Sequence, residues 1–108
     1  MSLLSIIIPS YNEEKMVLEA SNTIRGILDT QSIKFEIIFV DDGSIDTTWQ
    51  QIELVSTECS SVRGIRFSRN FGKEAAIIAG LTEAKGDCCV VIDCDLQHPP
   101  EKIVEMYH

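Results

Sequence analysis

Four short apolar runs recur along the chain: Leu3 to Ile8, Phe35 to Val40, Val62 to Phe67 and Cys88 to Ile92. Each is too short to cross a membrane and has the length of a strand. Near-continuous apolar sequence such as LLSIII and FEIIFV marks strands covered on both faces. Between the runs lie segments with apolar residues at helical spacing: Met16, Val17, Ala20, Ile24, Ile27 and Leu28; then Trp49, Ile52 and Val55; then AAIIAGLTEA. A further helix is expected to open at Pro99-Pro100-Glu101. The order β-α-β-α-β-α-β-α with short connections predicts an α/β fold: a Rossmann-like, doubly wound parallel sheet in order 3-2-1-4 with helices on both faces. Arg63 and Arg66 interrupt the third run and suit it to an edge. The first strand is expected to stop at Pro9, with Ser10 or Asn12 capping the helix that follows. Gly43 allows a sharp turn, and Ser44 or Asp46 caps the second helix.

With 108 residues the chain is one modest domain. Its 17 acidic residues against 9 basic ones give no uniformly basic surface, which argues against nucleic acid and suits either cation binding or simple solubility. Cys59, Cys88, Cys89 and Cys94 lack zinc-site spacing and are expected to be buried free thiols. The amino-terminal apolar run is too short for a signal peptide.

In a doubly wound sheet, ligands bind outside the carboxyl ends of the strands where the strand order reverses. That switch point would bring Pro9 to Glu13 from the first strand beside Asp93-Cys94-Asp95 from the fourth, with Asp41-Asp42 alongside. Asp93 and Asp95 are two apart and would project to one side of a strand. Two carboxylates that close repel unless a cation joins them. Together with Gln97 they would offer hard oxygen ligands to Mg²⁺ or Mn²⁺ and leave positions open for a phosphorylated ligand. An isolated Asp-x-Asp is also a common acidic strand end. Neither G-x-G-x-x-G nor G-x-x-x-x-G-K-[ST] occurs, so dinucleotide and P-loop chemistry lack their usual support.

IIIPSYNEE, VDDGSIDTT, NFGKEAAIIAGL and VIDCDLQHPP, in this order, resemble the family 2 glycosyltransferases of the GT-A fold. The resemblance is to the polyprenyl-phosphate branch, of the dolichyl-phosphate mannosyltransferase and bactoprenol glucosyltransferase type. It implies transfer of a sugar from a nucleotide diphosphate donor to a polyprenyl phosphate, with a divalent metal and inversion at the anomeric carbon. UDP-glucose or a related UDP-sugar is the favoured donor and GDP-mannose the second. By motif position it implies that Pro9, Tyr11 and Glu13 border the nucleotide and that Asp42, with Asp41, contacts the base. Asp93 would lie near the ribose and diphosphate, and Asp95 and Gln97 would hold the metal. Arg69 and Lys73 would neighbour the diphosphate or the nucleotide. Asp93 and Asp95 would be the catalytic pair.

The resemblance further implies that residues 1–108 are the nucleotide-sugar-binding portion of a longer domain, truncated after His108 and lacking the acceptor site. It places the full-length protein at the cytoplasmic face of the membrane, with membrane contact through later sequence, and leaves homo-oligomerisation open. Cys94 is expected to contribute its backbone and Trp49 to belong to the core. His98 has two readings, a turn residue or a role in the site, and Asp41 can equally serve its own loop. Two rival functions share some features: a haloacid-dehalogenase-like phosphatase, whose Asp-x-Asp ordinarily lies on an early strand, and an acidic receiver-like binding domain.

Overall fold

The structure, a computed structural model, describes residues 3–95. Gln97, His98 and the helix expected after Pro99 lie outside these residues. The elements are β1 (Leu4–Ser10), α1 (Val17–Thr30), β2 (Phe35–Asp41), α2 (Thr48–Glu58), β3 (Val62–Arg66), α3 (Lys73–Glu83) and β4 (Cys88–Val91). The strands form one sheet in the order β3-β2-β1-β4, with every neighbouring pair parallel. The predicted order and the edge position of β3 are thus observed.

Strand alternation divides the core between the two faces. Leu4, Ile6 and Ile8 of β1 and Ile37 and Phe39 of β2 pack with Val17, Ala20, Ile24 and Leu28 of α1 and with Ile52 and Val55 of α2. On the other face Ile7, Ile38 and Val40 pack against Ala76 of α3. Full burial of each Val, Leu, Ile or Phe among them stabilises the fold by roughly 1.5–3 kcal/mol before chain entropy is counted. Gly80 lets α3 settle close to the sheet, because a Cβ there would run into the Ile7 side chain. Trp49 packs against the larger cluster, as expected.

Three expectations are corrected. First, β1 does not stop at Pro9 but continues to Ser10, with Pro9 paired to Val40. The Ser10 carbonyl accepts the Asp42 N–H on the β2 side, whereas the Ile7 carbonyl accepts the Ile92 N–H on the β4 side. By that alternation the missing N–H of Pro9 faces β4, beyond the last β1–β4 pair, Ile7 with Val91, so no ladder bond is lost. Second, neither Ser10 nor Asn12 caps α1. The helix begins at Val17 with no side-chain cap, and the Ser10 hydroxyl donates to the Ile8 carbonyl. Third, the thiols are free but not uniformly buried: Cys94 is buried, Cys59 and Cys88 are half-buried and Cys89 is exposed. Cys89 and Val91 alternate with the buried Val90 and so look to the α3 side, where α3 covers β1 and β2 instead.

The amino ends of the strands are closed by a polar knot. The Glu36 carboxylate accepts from the Ser5 hydroxyl at 2.6 Å, the Lys85 N–H at 2.7 Å and Arg63 Nη2 at 3.1 Å. The Gly86 N–H donates to the Ser5 Oγ at 2.8 Å. Burial alone would raise the Glu36 carboxyl, but these donors outweigh it and hold the group below its ordinary value. The opposite, carboxyl end of the sheet stays open.

Candidate functional site

A crevice of about 300 Å³ opens at the carboxyl ends of β1 and β4. Pro9, Ser10, Tyr11 and Glu13 form one wall, Asp93, Cys94 and Asp95 another, and Asp42 and Lys73 complete it. Seven of the predicted site residues therefore meet: Pro9, Tyr11, Glu13, Asp42, Lys73, Asp93 and Asp95. Arg69 and Asp41 do not line the crevice. Arg69 stacks on the Phe71 ring, 4.8 Å from its centroid. Asp41 is fully buried and accepts the Ser44 N–H at 3.0 Å, so it serves its own loop.

The reason Asp93 and Asp95 converge differs from the one expected. Both lie past the end of β4, with Asp95 in a turn, so strand alternation does not govern them. Cys94 does: it is buried in the main core with Ile92, and anchoring it leaves the flanking carboxylates at the crevice. Burial pushes the Cys94 thiol up to about 12, so it is neutral and packs as a small apolar group.

The crevice holds four carboxylates, from Glu13, Asp42, Asp93 and Asp95, and one ammonium. Glu13 shows the consequence. Burial first, then the charges of Asp95, Asp46 and Asp93, hold its carboxyl above the ordinary value. Lys73 Nζ donates to Asp93 Oδ1 at 2.6 Å across the crevice. The donor set is all oxygen, and its mutual repulsion favours an added cation. Among the described residues no three His, Cys, Asp or Glu side chains gather as a metal cage. Mg²⁺ is commonly held by one or two carboxylates plus phosphate oxygens and water, so the acids at the crevice fit such an ion.

Asp42 does more structural work than its motif announced. It is 4% exposed and accepts from the Phe71 N–H at 2.7 Å, the Gly72 N–H at 3.1 Å and Asn70 Nδ2 at 3.1 Å. It thereby fixes the approach to α3 and the position of Lys73. Gly43, at φ 72°, permits the turn beside it, where a Cβ would strike the Arg69 and Asn70 backbone.

A second set of contacts has no local signature in the sequence. The loop after β1 and the loop before α2 exchange hydrogen bonds in both directions. The Asn12 N–H donates to the Ser44 Oγ at 2.8 Å while Asn12 Oδ1 accepts the Ile45 N–H at 3.0 Å. The Glu13 N–H donates to Thr48 Oγ1 at 2.8 Å. Glu14 Oε2 accepts from the Thr47 hydroxyl at 2.7 Å and from its N–H at 3.2 Å. Asp46 accepts the Thr48 N–H at 2.9 Å and the Glu14 N–H at 3.4 Å. This clasp holds Asn12 at φ 53° and sets the height of Tyr11 and Glu13 at the rim. Its signal was two polar, turn-forming loops at the ends of adjacent strands, but partners 32 to 35 residues apart cannot be paired without the sheet order.

A parallel α/β sheet with a polar crevice at its switch point defines a Rossmann-like architecture, in which ligands bind at that point. Residues 5–108 match the family described as glycosyl transferase family 2, and the chain belongs to that family. It is 42% identical over 102 residues to the dolichol-phosphate mannosyltransferase of Pyrococcus furiosus, covering 94% of this chain and 28% of that protein. It is 40% identical over 100 residues to the prophage bactoprenol glucosyl transferase homolog of Escherichia coli, covering 93% and 33%. The chain thus spans about a third of the length of these curated relatives. Among solved structures, the Pyrobaculum calidifontis mannosyltransferase PcManGT in complex with GDP-Man and Mn²⁺ superposes with TM-score 0.80 at 24% identity, covering 94% of this chain and 30% of that one. Residues 1–349 of S. aureus TarS in complex with UDP superpose with TM-score 0.72 at 29% identity, covering 88% and 28%. The GT-A type of fold is therefore observed, and the phosphatase and receiver alternatives fall with the family match.

Proposed function

We propose that residues 1–108 are the nucleotide-sugar-binding portion of a polyprenyl-phosphate glycosyltransferase that acts at the cytoplasmic face of a membrane. The observation that carries this reading is the crevice itself, where the rim of β1 faces Asp93 and Asp95 with Lys73 between them. The relatives named for dolichol-phosphate and bactoprenol transfer supply the acceptor class, and the TarS complex with UDP supplies a nucleotide precedent. A UDP-sugar is the favoured donor and a GDP-sugar the second.

In this reading Tyr11 and Glu13 border the nucleoside, and Asp93 faces the ribose and diphosphate. Lys73 neutralises diphosphate oxygens. Arg69, exposed at the approach to α3, meets the outer phosphate or the nucleoside from the rim. Asp42 acts by holding the 70–72 loop, with a base contact as a second duty, and Asp41 holds the 41–44 turn. Asp95, with Gln97, would hold Mg²⁺ or Mn²⁺, which when bound supplies Lewis-acid stabilisation of charge on the departing nucleoside diphosphate. The acceptor phosphate is already anionic at neutral pH, so attack on the anomeric carbon with inversion requires no strong base from this chain.

Isothermal calorimetry tests the reading: UDP or GDP should give a heat of binding that depends on Mn²⁺ and is lost in Asp95→Asn. No metal-dependent heat with either nucleotide would sink it.

A further inference from the structure

We propose that Lys73 is a displaceable counter-cation: with no donor present it neutralises Asp93, and an incoming diphosphate draws it away so that nucleotide and metal ion bind cooperatively. The inference rests on the nucleotide-binding reading above and goes beyond it by assigning a binding order to two residues.

The position of Lys73 is electrostatically unusual. It is the first residue of α3, and the amino end of a helix carries a partial positive charge that disfavours a cation. The N–H groups of Phe71 and Gly72, which precede it, are already committed to the Asp42 carboxylate. Lys73 is held at that end by Asp93, 2.6 Å away on the far wall of the crevice. The contact is not locked. The Lys73 side chain is 59% exposed and that of Asp93 is 30% exposed. A solvated four-carbon stem can re-aim its ammonium at small cost.

Without ligand, the ammonium occupies the space beside the Asp93–Asp95 pair that a divalent ion must approach, and it repels that ion. A diphosphate offers Lys73 a denser negative charge than one carboxylate. When Lys73 moves to it, Asp93 and the rest of the acidic wall regain their pull on a cation. Each ligand thus raises the affinity for the other, and linkage requires the effect to be reciprocal.

Removing the ammonium should move the two affinities in opposite directions. In Lys73→Met, Mn²⁺ alone should bind about fivefold more tightly, the range expected when an exposed ion pair stops competing. UDP in the presence of Mn²⁺ should bind roughly tenfold more weakly, as a charge-assisted phosphate contact is lost. Lys73→Arg should stay near the wild type in both. The free Mn²⁺ signal in electron paramagnetic resonance measures the first effect without any nucleotide, and calorimetry with UDP measures the second. The melting temperature should hardly move, since an exposed pair contributes little to stability. Unchanged or weaker Mn²⁺ binding in Lys73→Met overturns the proposal, as does a parallel loss of both affinities. Tighter Mn²⁺ binding with no UDP or GDP binding in the wild type would support the charge competition and overturn the nucleotide reading instead.

Discussion

Asp42→Ala separates a structural duty from a ligand duty at a position whose motif pointed only to the ligand. The carboxylate receives two loop N–H groups and the Asn70 amide, and it is 4% exposed. A hydrogen bond to a charged acceptor is worth about 1.5–3 kcal/mol net. Asn70 is exposed, so water replaces its bond on truncation. The Phe71 and Gly72 N–H groups are partly covered and recover only part of theirs. The expected loss is about 3 kcal/mol, which for a domain of this size lowers the melting temperature by on the order of 10–20 °C. Asp42→Asn keeps one acceptor oxygen but turns an amino group toward the loop, so about half of that loss is expected. Urea unfolding followed by circular dichroism reads both, with an unchanged slope confirming that stability alone has moved. If Asp42→Ala unfolds at the wild-type urea midpoint while losing nucleotide affinity, Asp42 is a ligand contact and the loop-holding account is wrong.

Asn12→Ala removes the Ile45 contact of the clasp, and we expect about 1 kcal/mol of destabilisation together with a rise in the Kd for UDP; unchanged Kd and stability would show that the loops are set by other contacts. Gly80→Val should cost about 1–3 kcal/mol because its Cβ meets Ile7, whereas Gly26→Ala, in the body of α1 with nothing within 4 Å, should stabilise by about 0.5–1 kcal/mol in the same urea assay. The pH profile follows from two carboxyls shifted in opposite directions. Glu36 is held low, so its contribution is full above its unfolded pKa and is lost as pH falls through the folded one. Glu13 is raised, so its contribution is full below the unfolded pKa and is lost as pH rises through the folded one. Melting curves between about pH 3 and 7 should therefore show a shallower acid limb for Glu36→Gln and a stability gain at pH 7 for Glu13→Gln.

Much of this molecule can be read before folding it. The four Ile- and Val-rich runs and the helical spacing between them carried the sheet order, because right-handed crossovers leave few ways to wind them. The motifs at Pro9 to Glu13 and at Asp93 to Asp95 then had to meet at the reversal of strand order. What was not legible has two physical sources. Proline's missing N–H suits a strand end at Pro9, yet which neighbour that N–H would face depends on the ladder of the whole sheet. Asp42, Asn12 and Glu14 owe their roles to partners about thirty residues away, and no local pattern assigns such pairs. Arg69 shows the converse: its charge and place in the motif point to the diphosphate or nucleotide, but no local pattern announces that its guanidinium rests on the Phe71 ring.

In the proposed function, nucleotide and metal ion meet at the ends of β1 and β4. Paramagnetic broadening of backbone amide signals by Mn²⁺ in the presence of UDP tests it most directly. We predict broadening at residues 10–13, 72–73 and 93–95, together with sparing of the carboxyl ends of α1 and α2, around Gly26 to Gln31 and Thr57 to Glu58. Broadening centred on those helices, or spread evenly over the acidic surface, would contradict it.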